Sequence, residues 1–277
     1  MVREAGGLFV FAPYETRLTG EPVWAGGVTV TNAHGGRAIE LATVISELAR
    51  DEGVPVGMRH VCSACASVVN ASGLAQYVSS DLCLGEPVHA TDLACEQVAE
   101  LQVTLGEGPS VEAVEAARPT LVPDLSSDSS LRRWPGFAPA GVEAGVSGVF
   151  AFPLQIGAIE LGVLEIYRAA SGNLSIRELT DALLFADMAM MLLVGRMTPG
   201  ARPADMRIDR DHGLFAGGFG PRWDRVHQAT GMVSTQLRSS LDEAFVRLRA
   251  HAFVTGRSLA EVAVDVIEGS LRLQSDR

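Results

Sequence analysis

An α+β domain followed by a small all-α domain of three helices is the fold class that this sequence predicts, and three observations carry it. Residues 145–169, GVSGVFAFPLQIGAIELGVLEIYRA, hold two β-rich runs flanking a turn at Gly157–Ala158, which makes a hairpin. SIRELTDALLFADMAMMLLVG, residues 175–195, then reads as a long helix started by a capping box, Ser175 with Glu178. Beyond residue 222 the apolar residues recur at helical spacing only, and two further capping boxes, Ser240 with Glu243 and Ser258 with Glu261, start separate helices there.

The elements follow in order. Residues 1–35 are Gly-rich and irregular and end in NAHGG, so they are expected to be a mostly disordered lead-in. RAIELATVISELARDE (37–52) places Ile39, Ala42, Ile45, Leu48 and Ala49 on one stripe of an amphipathic helix, and VGMRHVCSACASVV (56–69) is a second, mostly apolar helix. From about residue 73 the period changes: GLAQYVSS reads as a strand, EPVHATDL and ELQVTLGEGP surround a second strand region, and PTLVPDL is a short strand ending in a turn. With the hairpin and the helix after it, this predicts one antiparallel sheet with helices on one side. MTPGARPADMRIDRDHGLFAGGFGP (197–221) has Pro, Gly and balanced charge without periodicity and reads as a linker. The tail, 222–277, places Val226, Ala229, Val233 and Leu237 inward on its first helix. Leu241, Ala244, Phe245, Leu248 and Ala252 share one face of the second, which Gly256 ends. Leu259, Val262, Ala263, Val266 and Ile267 are buried by the third.

Charge separates the two parts. The net is −11, which excludes a chain-wide nucleic-acid glove. Residues 1–196 carry 11 Arg against 23 acidic residues, whereas residues 221–277 carry 8 Arg against 7. The tail is therefore the region that a phosphate backbone can approach without strong repulsion. The chain has no lysine, so every long cationic side chain is a guanidinium, suited to phosphate forks and to stacking on bases. No run of about 18 apolar residues exists and GLFVFAPYE is too short for a signal-peptide core, so a cytoplasmic protein is expected, its four Cys as thiols.

The motifs QATGMVSTQL, LDEAFVRLRAHAF and LAEVAVDVI make the tail familiar. It resembles the ANTAR domain, an RNA-binding module of bacterial transcription antiterminators. The small residues Ala244 and Ala252, the aromatic Phe245 and Leu248–Arg249 fit that pattern, while Thr230 stands where many members carry Lys. ELQVTLGEGPS, VPDL, RRWPGF, FPLQIGAIELGVLEIYR and the following helix resemble a GAF domain, a small-molecule or redox sensor and dimer former, over residues 36–196. Ser110 stands where that family often has Cys, and the Asn-Lys-Phe-type signature of cyclic-nucleotide GAF domains is absent.

These resemblances imply a signal-responsive antiterminator whose paired tails grip hairpin loops in nascent RNA. The expected RNA face is Thr230, Gly231 and Ser234 on the first tail helix with Arg249 and Phe253 on the second. The last two lie off the inward stripe, so that Phe253 can stack on an unpaired base and Arg249 hold phosphate; on composition alone they are equally a helix-stabilising pair on a solvated face. A homodimer through the helices at 37–52 and 175–195 is expected, because Met188, Met190, Met191, Leu192 and Leu193 nearly encircle the second of them. Arg132, Arg133 and Trp134 in RRWPGF are the candidate sensor-pocket residues, with a surface loop anchored by Trp134 and Phe137 as the alternative. GEGPS reads as a turn shaping that pocket, not a phosphate loop.

No catalytic triad, carboxylate pair or metal cluster emerges, no cofactor is named by the residues, and the signal is an unidentified small molecule or redox change. A second reading is an enzyme of the GAF type that reduces free methionine sulfoxide with clustered cysteines. Cys62 and Cys65 look like one buried helical face, whereas Cys83 and Cys95 are expected in loops where sensors place reactive thiols. A third is a protein-interaction adaptor whose tail binds helices.

Overall fold

The computed structural model describes residues 35–80, 83–157, 159–197 and 220–274, and before these the segments 7–9, 14–15, 22–23 and 29–31. Those four segments are strands. β1 (Gly7–Phe9) pairs antiparallel with β4 (Thr29–Thr31), and β2 (Tyr14–Glu15) with β3 (Pro22–Val23). These parts of the expected lead-in are thus paired backbone, and its other residues up to 34 lie outside the described ones.

The main body runs α1 (Gly35–Asp51), α2 (Met58–Val68), β5 (Gly73–Ser80), β6 (Cys83–Ala90), α3 (Leu93–Leu105), α4 (Pro109–Ala116), β7 (Thr120–Val122), α5 (Asp128–Arg133), α6 (Phe137–Glu143), β8 (Gly148–Ile156), β9 (Ile159–Arg168) and α7 (Ile176–Met197). Strands β5 to β9 form one sheet in the order β6-β5-β9-β8-β7, antiparallel throughout. The β8–β9 hairpin is its spine, paired from Gly148 opposite Arg168 to Ile156 opposite Ile159 with a register shift between Leu154 and Gln155. Helix α7 starts as expected: Glu178 N–H donates to Ser175 Oγ at 3.2 Å, and Ser175 N–H to the Glu178 carboxylate at 2.7 Å.

The sheet carries helices on both faces, not one. Phe150, Phe152, Leu154, Leu164 and Ile166 point to α1, α2 and α7, whereas Val149, Ala151, Val163 and Tyr167 point to α3, α4 and α6. Alternation along β8 and β9 sends large side chains both ways, and a sheet apolar on both faces needs two covers. The second cover was misread because α3 is buried on several sides. Cys95, Val98, Ala99, Gln102 and Val103 all lie inside, which blurs the helical period, and the region expected to border a strand at 100–105 is this helix. Its ends are conventional. Asp92 Oδ1 accepts from Cys95 N–H at 2.8 Å, and Gly106 closes the helix in the left-handed conformation with φ 67°.

The tail is α8 (Gly220–Leu237), α9 (Leu241–Thr255) and α10 (Leu259–Ile267). Val226, Ala229, Val233, Ala244, Leu248, Ala252, Leu259, Val262, Ala263 and Val266 form its core, and Leu237, Phe245 and Ile267 pack at its edge. Leu241, expected on the inward face of α9, is 61% exposed, because the first residue of a capped helix projects past the end of the bundle. The Ser258–Glu261 capping box closes reciprocally, with bonds of 3.0 and 3.2 Å. Of the expected linker, residues 198–219 lie outside the described ones; Met197 ends α7, and Gly220 and Pro221 open α8. The tail core is continuous with the core under α3, where α9 packs on α3.

Candidate functional site

The expected RNA-face residues have divergent surroundings. Phe253 is 60% exposed on α9, beside the equally open Val246 and Val254. Arg249, four residues earlier, turns to the first part of the chain: its Nε donates to the Thr104 carbonyl in the last turn of α3 at 3.3 Å, and its guanidinium lies 5.9 Å from the Phe245 ring centroid. Thr230 is buried, and its hydroxyl donates to the Val226 carbonyl one turn back at 2.7 Å. Ser234 Oγ donates to the Ser239 carbonyl at 2.7 Å. Gly231 is partly exposed and leaves open space where a Cβ would be.

Arg249 belongs to a seam that the sequence analysis did not anticipate. Arg222, at the start of α8, bridges two carboxylates of α3, with Nη1 2.8 Å from Glu96 and Nη2 2.9 Å from Glu100. Both glutamates are nearly buried. Burial pushes the Glu100 carboxyl up while Arg222 pulls it down. The same carboxylate accepts from Ala260 N–H, in the first turn of α10, at 3.4 Å. It therefore sits where an unsatisfied helix N-terminus favours an anion. At the rim, His227 Nε2 lies 2.7 Å from Glu86, and this contact raises the imidazole above its ordinary range. Trp223 is buried and tilts against Phe245, with 6.5 Å between ring centroids. The legible trace of this seam was the charge division itself, an acidic first part before a tail with excess arginine.

On its other side α3 covers a buried polar centre. Glu165, on β9, is fully buried and accepts from Tyr77 Oη at 2.8 Å, Tyr167 Oη at 2.5 Å and Gln102 Nε2 at 2.7 Å. Ser110 N–H, in the first turn of α4, donates to Gln102 Oε1 at 2.9 Å and fixes the amide. Burial raises the carboxyl, the three donors lower it, and both phenols are driven upward by burial and by the carboxylate. Among the described contacts the carboxylate is held by hydrogen-bond donors and not by a cation. The signal for it was a glutamate set among Leu, Val, Ile and Tyr in the strand IELGVLEIYR.

The expected sensor-pocket residues lie at the end of α5. Arg132 and Arg133 end α5 in solvent instead of lining a loop. Arg133 pairs with Glu112 and lies over Trp134, 4.7 Å from its ring centroid. Trp134 is buried in the core, so the anchoring alternative describes it. Glu107 of GEGP accepts from the backbone N–H groups of Gly136 and Phe137 at 2.6 and 2.8 Å, which makes that turn a brace for α6.

Cys62 and Cys65 are buried on α2, and burial pushes the Cys62 thiol up to about 12 and Cys65 well above its usual value. Cys95 is not in a loop but in the first turn of α3, where burial and then Asp92 raise it to about 12. Cys83 opens β6, again not a loop. Thiols held this far above neutral pH are poor nucleophiles. Among the described residues no group of three or more His, Cys, Asp or Glu could hold a metal ion, and no helix is long and apolar enough to cross a membrane.

The first part is similar to the GAF domain of a phosphoenolpyruvate-protein phosphotransferase from Coxiella burnetii, at 16% identity over 59% of this chain and 98% of that one, TM-score 0.45. It is similar to the corresponding Acinetobacter domain at 11% identity over 61% and 97%, TM-score 0.42. It is also similar to a type II free methionine-R-sulfoxide reductase from Thermoplasma acidophilum at 16% identity over 54% and 94%, TM-score 0.35. No curated protein matches the sequence. The family model of the ANTAR domain matches residues 224–267, the span of α8, α9 and α10, and this part of the chain is an ANTAR domain.

Proposed function

We propose that the chain is a signal-responsive, RNA-binding transcription antiterminator in which a GAF-like sensor controls a dimeric, hairpin-binding tail. The observation that carries this reading is the ANTAR match over 224–267, with an exposed aromatic, Phe253, on its central helix. Phe253 stacks on a splayed loop base, Arg249 engages phosphate once free of α3, and Gly231, with open space at its Cα, admits the backbone beside Thr230 and Ser234. Dimerisation uses α1 and α7, which leave Ile39, Val44, Ile176 and Leu183 exposed. The tail's low charge makes each copy a weak binder, so two linked copies are needed for tight binding.

Affinity for a hexaloop RNA hairpin, measured across a salt series, tests this. Phe253→Ala is expected to lose about 1–3 kcal/mol, the usual worth of a stacked base, without changing the salt slope. Arg249→Ala is expected to flatten the slope by one phosphate contact. No binding by the parent at any salt concentration, or equal binding by both variants, removes the reading. Light scattering at micromolar concentration tests the dimer, which a clean monomer would refute. Replacing all four cysteines with serine separates the reductase reading, since an enzyme of that kind loses its activity and an antiterminator keeps hairpin binding. The buried, raised thiols of Cys62, Cys65 and Cys95 favour the antiterminator. An adaptor would retain a protein partner and bind no hairpin.

A further inference from the structure

Glu96, Glu100 and Thr104 are spaced four apart on α3, so they share one face of it, and that face holds the tail. It presents two nearly buried carboxylates to Arg222 and, at the helix's negative end, a carbonyl to Arg249. An oxygen-rich, negative, regularly spaced surface offers a guanidinium what an RNA backbone offers. Arg222 has committed donors on both of its terminal nitrogens to these carboxylates, and phosphate would need the same donors. The fit at the other end is equally close. A Cβ placed on Gly106 would run into the Arg249 guanidinium, so a side chain there would oblige that guanidinium to shift.

The geometry points to α3 as an internal substitute for RNA phosphate: it holds Arg222 and Arg249 of the tail, so that docking of the tail and binding of a hairpin exclude one another. This rests on the RNA-binding reading above. Gln102, on the opposite side of the same helix, is bonded to the buried Glu165, so a change in the sensor centre has a direct mechanical route to the dock.

The test uses the full chain with Glu96→Gln and Glu100→Gln combined, which keeps the shape of the seam and removes its charge. Two quantities are read: amide exchange in α8 and α10, and affinity for a synthetic RNA carrying two hexaloop hairpins. Exchange is expected to accelerate and hairpin affinity to rise by about tenfold, equivalent to about 1.4 kcal/mol. A charge-matched control, Glu115→Gln with Glu143→Gln on exposed positions away from the seam, is expected to change neither. Gly106→Asn supplies a second, independent variant, since Asn tolerates the left-handed conformation but its Cβ evicts Arg249; it decides the matter if the double variant does not fold. Unchanged tail exchange in the folded variants overturns the dock. A tail that loosens while hairpin affinity stays at the parent value, or a control that tightens binding equally, overturns the exclusion. A tail that loosens while neither parent nor variant binds the RNA refutes the RNA reading and leaves the dock standing.

Discussion

The two faces of the central sheet are built to opposite specifications. Under α1, α2 and α7 the contacts are mainly apolar, with Leu41, Ile45, Met58, Phe150, Phe152, Leu164, Ile166 and Phe185 filling the layer and the Arg37–Asp181 pair joining α1 to α7. Under α3 and α4 the strands place a glutamate and two tyrosines, α3 adds a glutamine, and that core runs on into the tail. An apolar layer tolerates repacking and conveys little, because dispersion has no preferred partner. A buried polar network admits few arrangements, and losing a donor leaves a buried acceptor with one partner fewer. The first face is a scaffold, and the second is placed to connect the buried Glu165 centre to α3 and, across α3, to the tail.

Four substitutions or conditions separate the faces. Phe152→Ala, on the scaffold face, is expected to cost about 3–5 kcal/mol in denaturant unfolding through the cavity it leaves, with no selective loosening of the tail. Tyr77→Phe removes a 2.8 Å donor to Glu165 and is expected to cost about 2 kcal/mol, with accelerated amide exchange in α3 and α8. If the tail responds equally to both variants, the division of labour fails. Ser258→Ala, which deletes half of the α10 capping box, is expected to cost about 1 kcal/mol and to speed exchange in α10 without affecting the sheet.

The smallest effect is the rim pair. Contact with Glu86 raises the folded-state value of His227, so its contribution is fully present below the ordinary histidine range and is lost as pH rises through the raised value. Both side chains are substantially exposed, so the effect is expected to stay under about 1 kcal/mol. The protection of amides in α8, after division by their intrinsic exchange rates at each pH, should fall from acid to mildly alkaline pH in the parent and lose that fall in His227→Gln.

Local signals in the sequence determined the hairpin, the start of α7, and the capping and apolar stripes of α8, α9 and α10, because turn chemistry and side-chain periodicity act over a few residues. The resemblance of the tail to ANTAR was legible for the same reason: its motifs are helical stripes, and the matched span reproduces them. What only the tertiary structure decided is which faces meet. Helix α3 is buried against the sheet on one side and the tail on the other, so its sequence shows no clean amphipathic period and its second half reads as the border of a strand. Arg249 and Phe253 lie four apart on one helix, yet one is drawn to the Thr104 carbonyl and the other left in solvent, a difference set by an element 145 residues away. Arg132 and Arg133 made a plausible pocket by composition and became the solvated end of α5, because Trp134 turned inward and fixed their direction. Glu165 needed the fold most: an isolated glutamate in an apolar strand is a liability until Tyr77, Tyr167 and Gln102, as many as 88 residues distant, arrive to donate to it.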